Sequence, residues 1–255
     1  MTRHFEDYRK GAQKLLITAE RLFGERGLDK VSLRQLAIAA GHANNSAVQH
    51  HFRSKQGLIL AVFQMRLPAL ERARQQWLTA VEQSGPAKFE DILAAILMPI
   101  VYALHEPKRT TFAMFALRLL DGDLAERTRS EEISPLAAEI ADRLQAHLPQ
   151  LPPAVFNARY RLAVRLFLNG FMELKRMRHS NNNPYPDEEM FWDDVFQSSV
   201  AAFRTDFPPL KQQRVLLNMP AAGDAQKVNR GKRARNKRSK MHKSKHALSS
   251  RAKRR

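Results

Sequence analysis

Residues Ser32–Lys55 read SLRQLAIAAGHANNSAVQHHFRSK, and this stretch decides the fold. Ser32 stands where an N-cap should, its hydroxyl able to accept from free backbone N–H groups before Leu33, Leu36, Ala37 and Ala40 form an apolar face. Gly41 ends that helix, and His42–Asn45 form a polar turn in which Asn44 or Asn45 can cap a second helix. On this second helix Ala47, Val48 and Phe52 face inward, which leaves Asn45, Ser46, Gln49 and His50 outside. Two short helices joined in this way form a helix-turn-helix, whose second helix can enter a major groove.

Upstream, Ala12, Leu15, Leu16, Ala19, Leu22 and Phe23 repeat at helical spacing, and Gly27 is placed to stop that helix in a left-handed cap. Downstream, a fourth helix starts at Ser54, and Pro68 should kink or divide it. The chain then stays helical. A broad apolar stripe covers Phe89 to Leu104, Phe112 to Leu120 is mostly apolar, and Pro135 to Leu148 is a further helix. Tyr160, Val164, Phe167, Phe171 and Leu174 form the seam of a helix packed lengthwise against a partner. After SNNNPYP, a last helix opens on Asp187, Glu188 and Glu189, favourable at the positive end of its dipole. No strand signal stands out.

Charge is distributed unevenly over the 255 residues. Residues 1–58 hold 10 Lys/Arg against 5 acids, residues 59–210 hold 17 against 19, and residues 211–255 hold 16 against 1. Basicity therefore belongs to the two ends. From 227 to 255, 14 of 29 residues are Lys or Arg and none is acidic, so this segment is expected to be disordered when free. It contains no aromatic residue to stack on bases, and an arm along the phosphate backbone is its favoured reading over a solvated charged run or an RNA- or membrane-binding segment.

The absence of cysteine excludes a disulfide framework and a thiolate metal site. The longest charge-free apolar run, Ile92 to His105, is 14 residues and contains Pro99, too short for a bilayer span of about 20. A soluble, intracellular protein without a membrane partner is expected. No metal site is expected, because His50 and His51 point to different sides of a helix and the His242/His246 pair sits in a cationic tail. No nucleophile constellation or Gly-rich phosphate loop suggests an enzyme or a cofactor.

The spacing A-x-x-x-F-x-x-x-G, the Ser cap, I-A-x-A-G and H-F-x-S-K, carried by AERLFGERGLDKVSLRQLAIAAG and HFRSKQGL, resembles the TetR (tetracycline repressor-like) family of transcriptional regulators. The resemblance implies an all-α protein: a helix-turn-helix DNA-binding domain at residues 1–60, a helical ligand-binding and dimerisation domain at 61–210, and a basic tail at 211–255. It further implies a bacterial, cytoplasmic and nucleoid-associated homodimer on a palindromic double-stranded operator, dimerised through helices near 155–178 and 187–206 and released by a small-molecule effector. A nonspecific nucleoid-type or RNA-binding protein dominated by its tail is the alternative.

Between Gly41 and Phe52 the chain is one residue longer than is common in the family, and Gln49 and His50 stand where an aromatic often does. Asn44, Asn45, Ser46 and Gln49 are the candidates for base contact, since Asn and Gln pair bidentately with adenine. Ser32, His50 and Lys55 are the candidates for phosphate contact, Lys55 matching a family position. Arg118, Arg165 and Asn169 interrupt apolar helices of the second domain and are candidates to anchor an effector.

Overall fold

The structure is a computed structural model that describes residues 5–43, 46–121, 134–180 and 183–203. After a short 3-10 turn at Phe5–Asp7 come α1 (Lys10–Arg26), α2 (Leu33–Ala39), α3 (Ser46–Phe52), α4 (Lys55–Ser84), α5 (Phe89–Tyr102), α6 (Lys108–Asp121), α7 (Pro135–Ala146), α8 (Pro153–Ser180) and α9 (Glu188–Ala201). Among the described residues there is no strand, and the chain is all-α as expected. The basic tail and residues 122–133 and 181–182 lie outside the described residues, as do Asn44 and Asn45.

The apolar face of α1 explains the position of everything near it. Ala12, Leu15, Leu16, Ala19 and Phe23 are fully buried, and they meet Leu36 and Ala37 of α2, Val48 of α3 and Leu58 of α4 in one core. Yet α1 makes its most extensive contact with α6, not with α2 or α3. Gly24 allows that approach: a Cβ there would stand 3.0 Å from the Met114 Cβ and 3.1 Å from the Phe115 backbone nitrogen. Across the same region Glu20, 1% exposed, receives two hydrogen bonds from Arg66 of α4, at 2.9 and 2.6 Å. The bidentate geometry satisfies both carboxylate oxygens, which a buried charge requires.

The residues from 92 to 101 on α5 are all buried, so this helix is apolar on every side and forms the axis of the second part of the molecule. Helices α4, α7, α9 and α6 pack around it. Helix α4 runs unbroken through Pro68, so of the kink or division expected there, division is ruled out. Proline removes only one helical hydrogen bond, and Leu70, Arg74 and Leu78 hold the following turns in the core. Arg74 is itself buried; its guanidinium donates to Glu71 at 2.7 Å and to Ser134 at 3.0 Å, at the start of α7.

The seam expected on α8 is filled from within the chain. Phe167 and Phe171 lie 5.3 and 4.4 Å from Trp192 of α9, centroid to centroid, and Gly170 lets the two helices approach, since a Cβ there would come within 3.0 Å of Trp192. A different stripe of α8 is left outside: Val155, Leu162 and Leu166 are exposed. No helix among the described residues is long and apolar enough to cross a membrane.

Because Glu20 would be left buried and unpaired, Arg66→Ala is expected to lower stability to urea by about 3–5 kcal/mol. The double variant Glu20→Leu/Arg66→Met should stay much closer to the parent, since removing both charges removes the desolvation cost with the attraction.

Candidate DNA-binding interface

Helix α2 begins with the expected cap and a reciprocal one. The Ser32 hydroxyl accepts from the Gln35 backbone N–H at 3.2 Å, and the Gln35 side-chain oxygen accepts from the Ser32 N–H at 2.8 Å. At its other end Gly41 adopts φ +82°; its N–H donates to Ile38 and the His42 N–H to Ala37, which satisfies two orphan carbonyls. The His42 ring nitrogen lies 3.3 Å from the Gly11 carbonyl, so the turn is tied to the start of α1.

The joint between α3 and α4 is tighter. Arg53 takes the left-handed conformation, φ +63°, and the Ser54 hydroxyl then accepts from the Gly57 N–H at 3.0 Å to cap α4. A Cβ at Gly57 would stand 2.1 Å from the Phe52 carbonyl oxygen, a distance no side chain tolerates. Glycine at this position is therefore what lets the first turn of α4 fold back under the end of α3. Val48 and Phe52 are buried beneath, with the Phe52 ring 5.6 Å from that of Tyr8.

With its inner face fixed, α3 presents Ser46, Gln49 and His50, all exposed, on the opposite side. Gln49 offers both a donor and an acceptor, as recognition of adenine in the major groove requires. Ser32 is exposed too; its capping bond uses an oxygen lone pair and leaves the O–H hydrogen to donate to a phosphate. Lys55 is half-buried, its ammonium 6.0 Å from the centre of the Phe23 ring of α1. Ser32, Ser46, Gln49, His50 and Lys55 thus sit on one three-helix unit. Asn44 and Asn45 lie outside the described residues. Arg34 and Arg53 went unselected in the sequence; both are exposed, and neither has a carboxylate partner among the described residues. The signal that could have found them is positive charge within two residues of a helix cap.

The three polar candidates of the second domain each bond a backbone carbonyl. Arg118 donates to the Gly24 carbonyl at 3.4 Å, bridging α6 to α1. Arg165 donates to the Leu120 carbonyl at 2.6 Å and lies 3.5 Å from Asp121, closing the end of α6. Asn169 is exposed and donates back to the Arg165 carbonyl of its own helix. No cluster of three His, Cys, Asp or Glu able to hold a metal occurs among the described residues.

Residues 15–62, which carry this geometry, match the model of the family described as bacterial regulatory proteins, tetR family. Over those 48 residues the chain is similar to the TetR family. No curated protein matches it. Its fold is similar to that of a protein described as a tetR family transcription regulator from Shewanella sp. PV-4, at 18% identity over 76% of this chain and 96% of that one, with a TM-score of 0.49. It is also similar to AmtR of Mycobacterium smegmatis, at 18% identity over 84% of this chain and 97% of that one, with a TM-score of 0.41. The similarity to the TetR family rests on residues 15–62.

Gly57→Ala is expected to displace α3 from α4 and to reduce affinity for a selected duplex more than tenfold, with the far-ultraviolet helix signal retained. Gln49→Ala should lose about 1–3 kcal/mol at one or two base pairs and relax their preference, whereas Lys55→Ala should weaken all duplexes alike. Binding curves on point-mutated duplexes separate the two.

Proposed function

We propose that the chain is a homodimeric, sequence-specific DNA-binding regulator, most simply a repressor that a small molecule releases. The observation that carries this reading is the outer face of α3, where Ser46, Gln49 and His50 stand exposed on a helix whose other face is locked into the core. Such a helix can spend its polar groups on base edges. The basic balance of residues 1–58 suits the phosphates around them.

A second copy gives the two recognition helices a separation of about 34 Å, one turn of the duplex, or a multiple of it, which calls for a palindromic operator. The exposed stripe of Val155, Leu162 and Leu166 on α8, with Met190 on α9, supports self-association near 155–178 and 187–206. Residues 1–60 then serve as the reading head and 61–210 as the body that senses and dimerises, a division of labour rather than of folding, since α4 crosses position 60. The site of action is the bacterial cytoplasm, on the nucleoid. An effector releases DNA only by binding more tightly to a conformation whose heads are wrongly spaced. Arg118 on α6 and Arg165 on α8 bear on this as groups at the C-terminal end of α6, and Asn169 as a polar group on the outer face of α8.

Residues 211–255 add 16 basic groups and so a sequence-independent share of the affinity. Selection from random duplexes at moderate salt should enrich a palindromic site. Removing residues 224–255 should then lower affinity and flatten its salt dependence while preserving the enriched site. Loss of all preference on removal would favour a tail-dominated nucleic-acid binder instead.

A further inference from the structure

Among the described residues, Arg53 is the only one other than glycine with a positive φ, +63°. Its N–H donates to the Gln49 carbonyl at 3.0 Å and closes the last turn of α3; the Ser54 N–H then donates to the Phe52 carbonyl at 2.7 Å, across Arg53 itself. The reversal is built into the joint. Phe52 before it is buried, Ser54 after it caps α4, and Gly57 approaches the same Phe52 carbonyl. A left-handed residue brings its Cβ close to the following carbonyl oxygen, a cost that glycine escapes.

No contact of the side chain offsets that cost among the described residues. The Arg53 guanidinium is exposed and has no hydrogen bond, ion pair or ring contact with them. A cation at the end of a helix gains from the dipole, but at an exposed position this gain is smaller than the cost of the left-handed conformation. The bond to Gln49 places Arg53 one helical turn, about 5.4 Å, beyond that residue and on the same face of α3. Arg53 therefore continues the exposed row that Gln49 begins.

We propose that Arg53 binds a phosphate of the duplex beside the bases that α3 faces, and that this contact is why arginine rather than glycine occupies the strained position. A strained residue persists where another requirement overrides local stability, and here that requirement is met by a partner the free chain lacks. An exposed guanidinium can donate in a fork to two oxygens of one phosphate. The 10 Lys/Arg against 5 acids of residues 1–58 favour a polyanion over an acidic protein surface of mixed charge. The inference rests on the proposed reading of DNA and adds to it one position at which stability is given up for affinity.

Equilibrium binding of the full chain to its enriched duplex, over a range of salt, compares the parent with Arg53→Gly, Arg53→Ala and Arg53→Lys. Glycine relieves the strain and alanine keeps it, while both remove the charge. Both should bind about fivefold more weakly near ~0.15 M salt, with a salt slope shallower by about 1 and the same loss on point-mutated duplexes. Arg53→Lys should keep the slope. In urea, Arg53→Gly should unfold at a higher concentration than the parent and than Arg53→Ala. The inference is overturned by parental affinity and slope in the glycine and alanine variants, by a loss confined to particular base pairs, by an equal loss with lysine, or by a glycine variant less stable than the parent. A parent that enriches no site defeats the DNA reading and this inference with it, whereas an enriched site bound equally by all four proteins defeats only the role of Arg53.

Discussion

The double burial of α1 governs the rest of the molecule. One helix supplies the inner face of the helix-turn-helix through Leu15, Leu16, Ala19 and Phe23, and the same helix lies across α6 through Gly24. The ion pair between Glu20 and Arg66 ties it also to α4. A buried charge pair contributes little net stability over apolar residues of the same shape, but it tolerates very little displacement of either partner. The three contacts therefore set the orientation of the head on the body more than they set how firmly the chain folds.

That orientation matters because recognition depends on geometry. The contacts proposed for Gln49 with bases and for His50 with phosphate require α3 at the correct depth and angle, and α3 is positioned by the α4 turn beneath it, where Gly57 meets the Phe52 carbonyl. Helix α4 then continues without interruption from that turn to Ser84. Any ligand that prefers one placement of α4 acts on the same element that carries Lys55 and seats α3. Arg118, bonded to the Gly24 carbonyl, gives α6 a second connection to the head.

Much of the head was legible in the sequence because its signals are local. Ser32 caps α2 and Gly41 terminates it with positive φ, and Val48 and Phe52 are buried on the face that their spacing selects. Other features depend on distant partners and leave no local trace. Nothing around Gly24 announces that Met114 crosses it, and nothing near Glu20 announces an arginine 46 residues away. Pro68 carries a strong local signal against helix, which the packing of Leu70, Arg74 and Leu78 overrides. The seam at 160–174 was readable as apolar, but not that α9 of the same chain covers Phe167 and Phe171. For Arg118, Arg165 and Asn169, interruption of an apolar helix was the only cue, and it does not announce the backbone carbonyl that each of them bonds.

A head mounted rigidly on the body through α1 makes a direct prediction for native-state hydrogen exchange, which reports the free energy at which each segment opens. The amides of α1 between Leu15 and Phe23 and those of α6 between Phe112 and Leu119 should open in one step at the same free energy, and Arg66→Ala should lower both together. Opening of α1, α2 and α3 at a distinctly lower free energy than α6, unaffected by that substitution, would contradict the account.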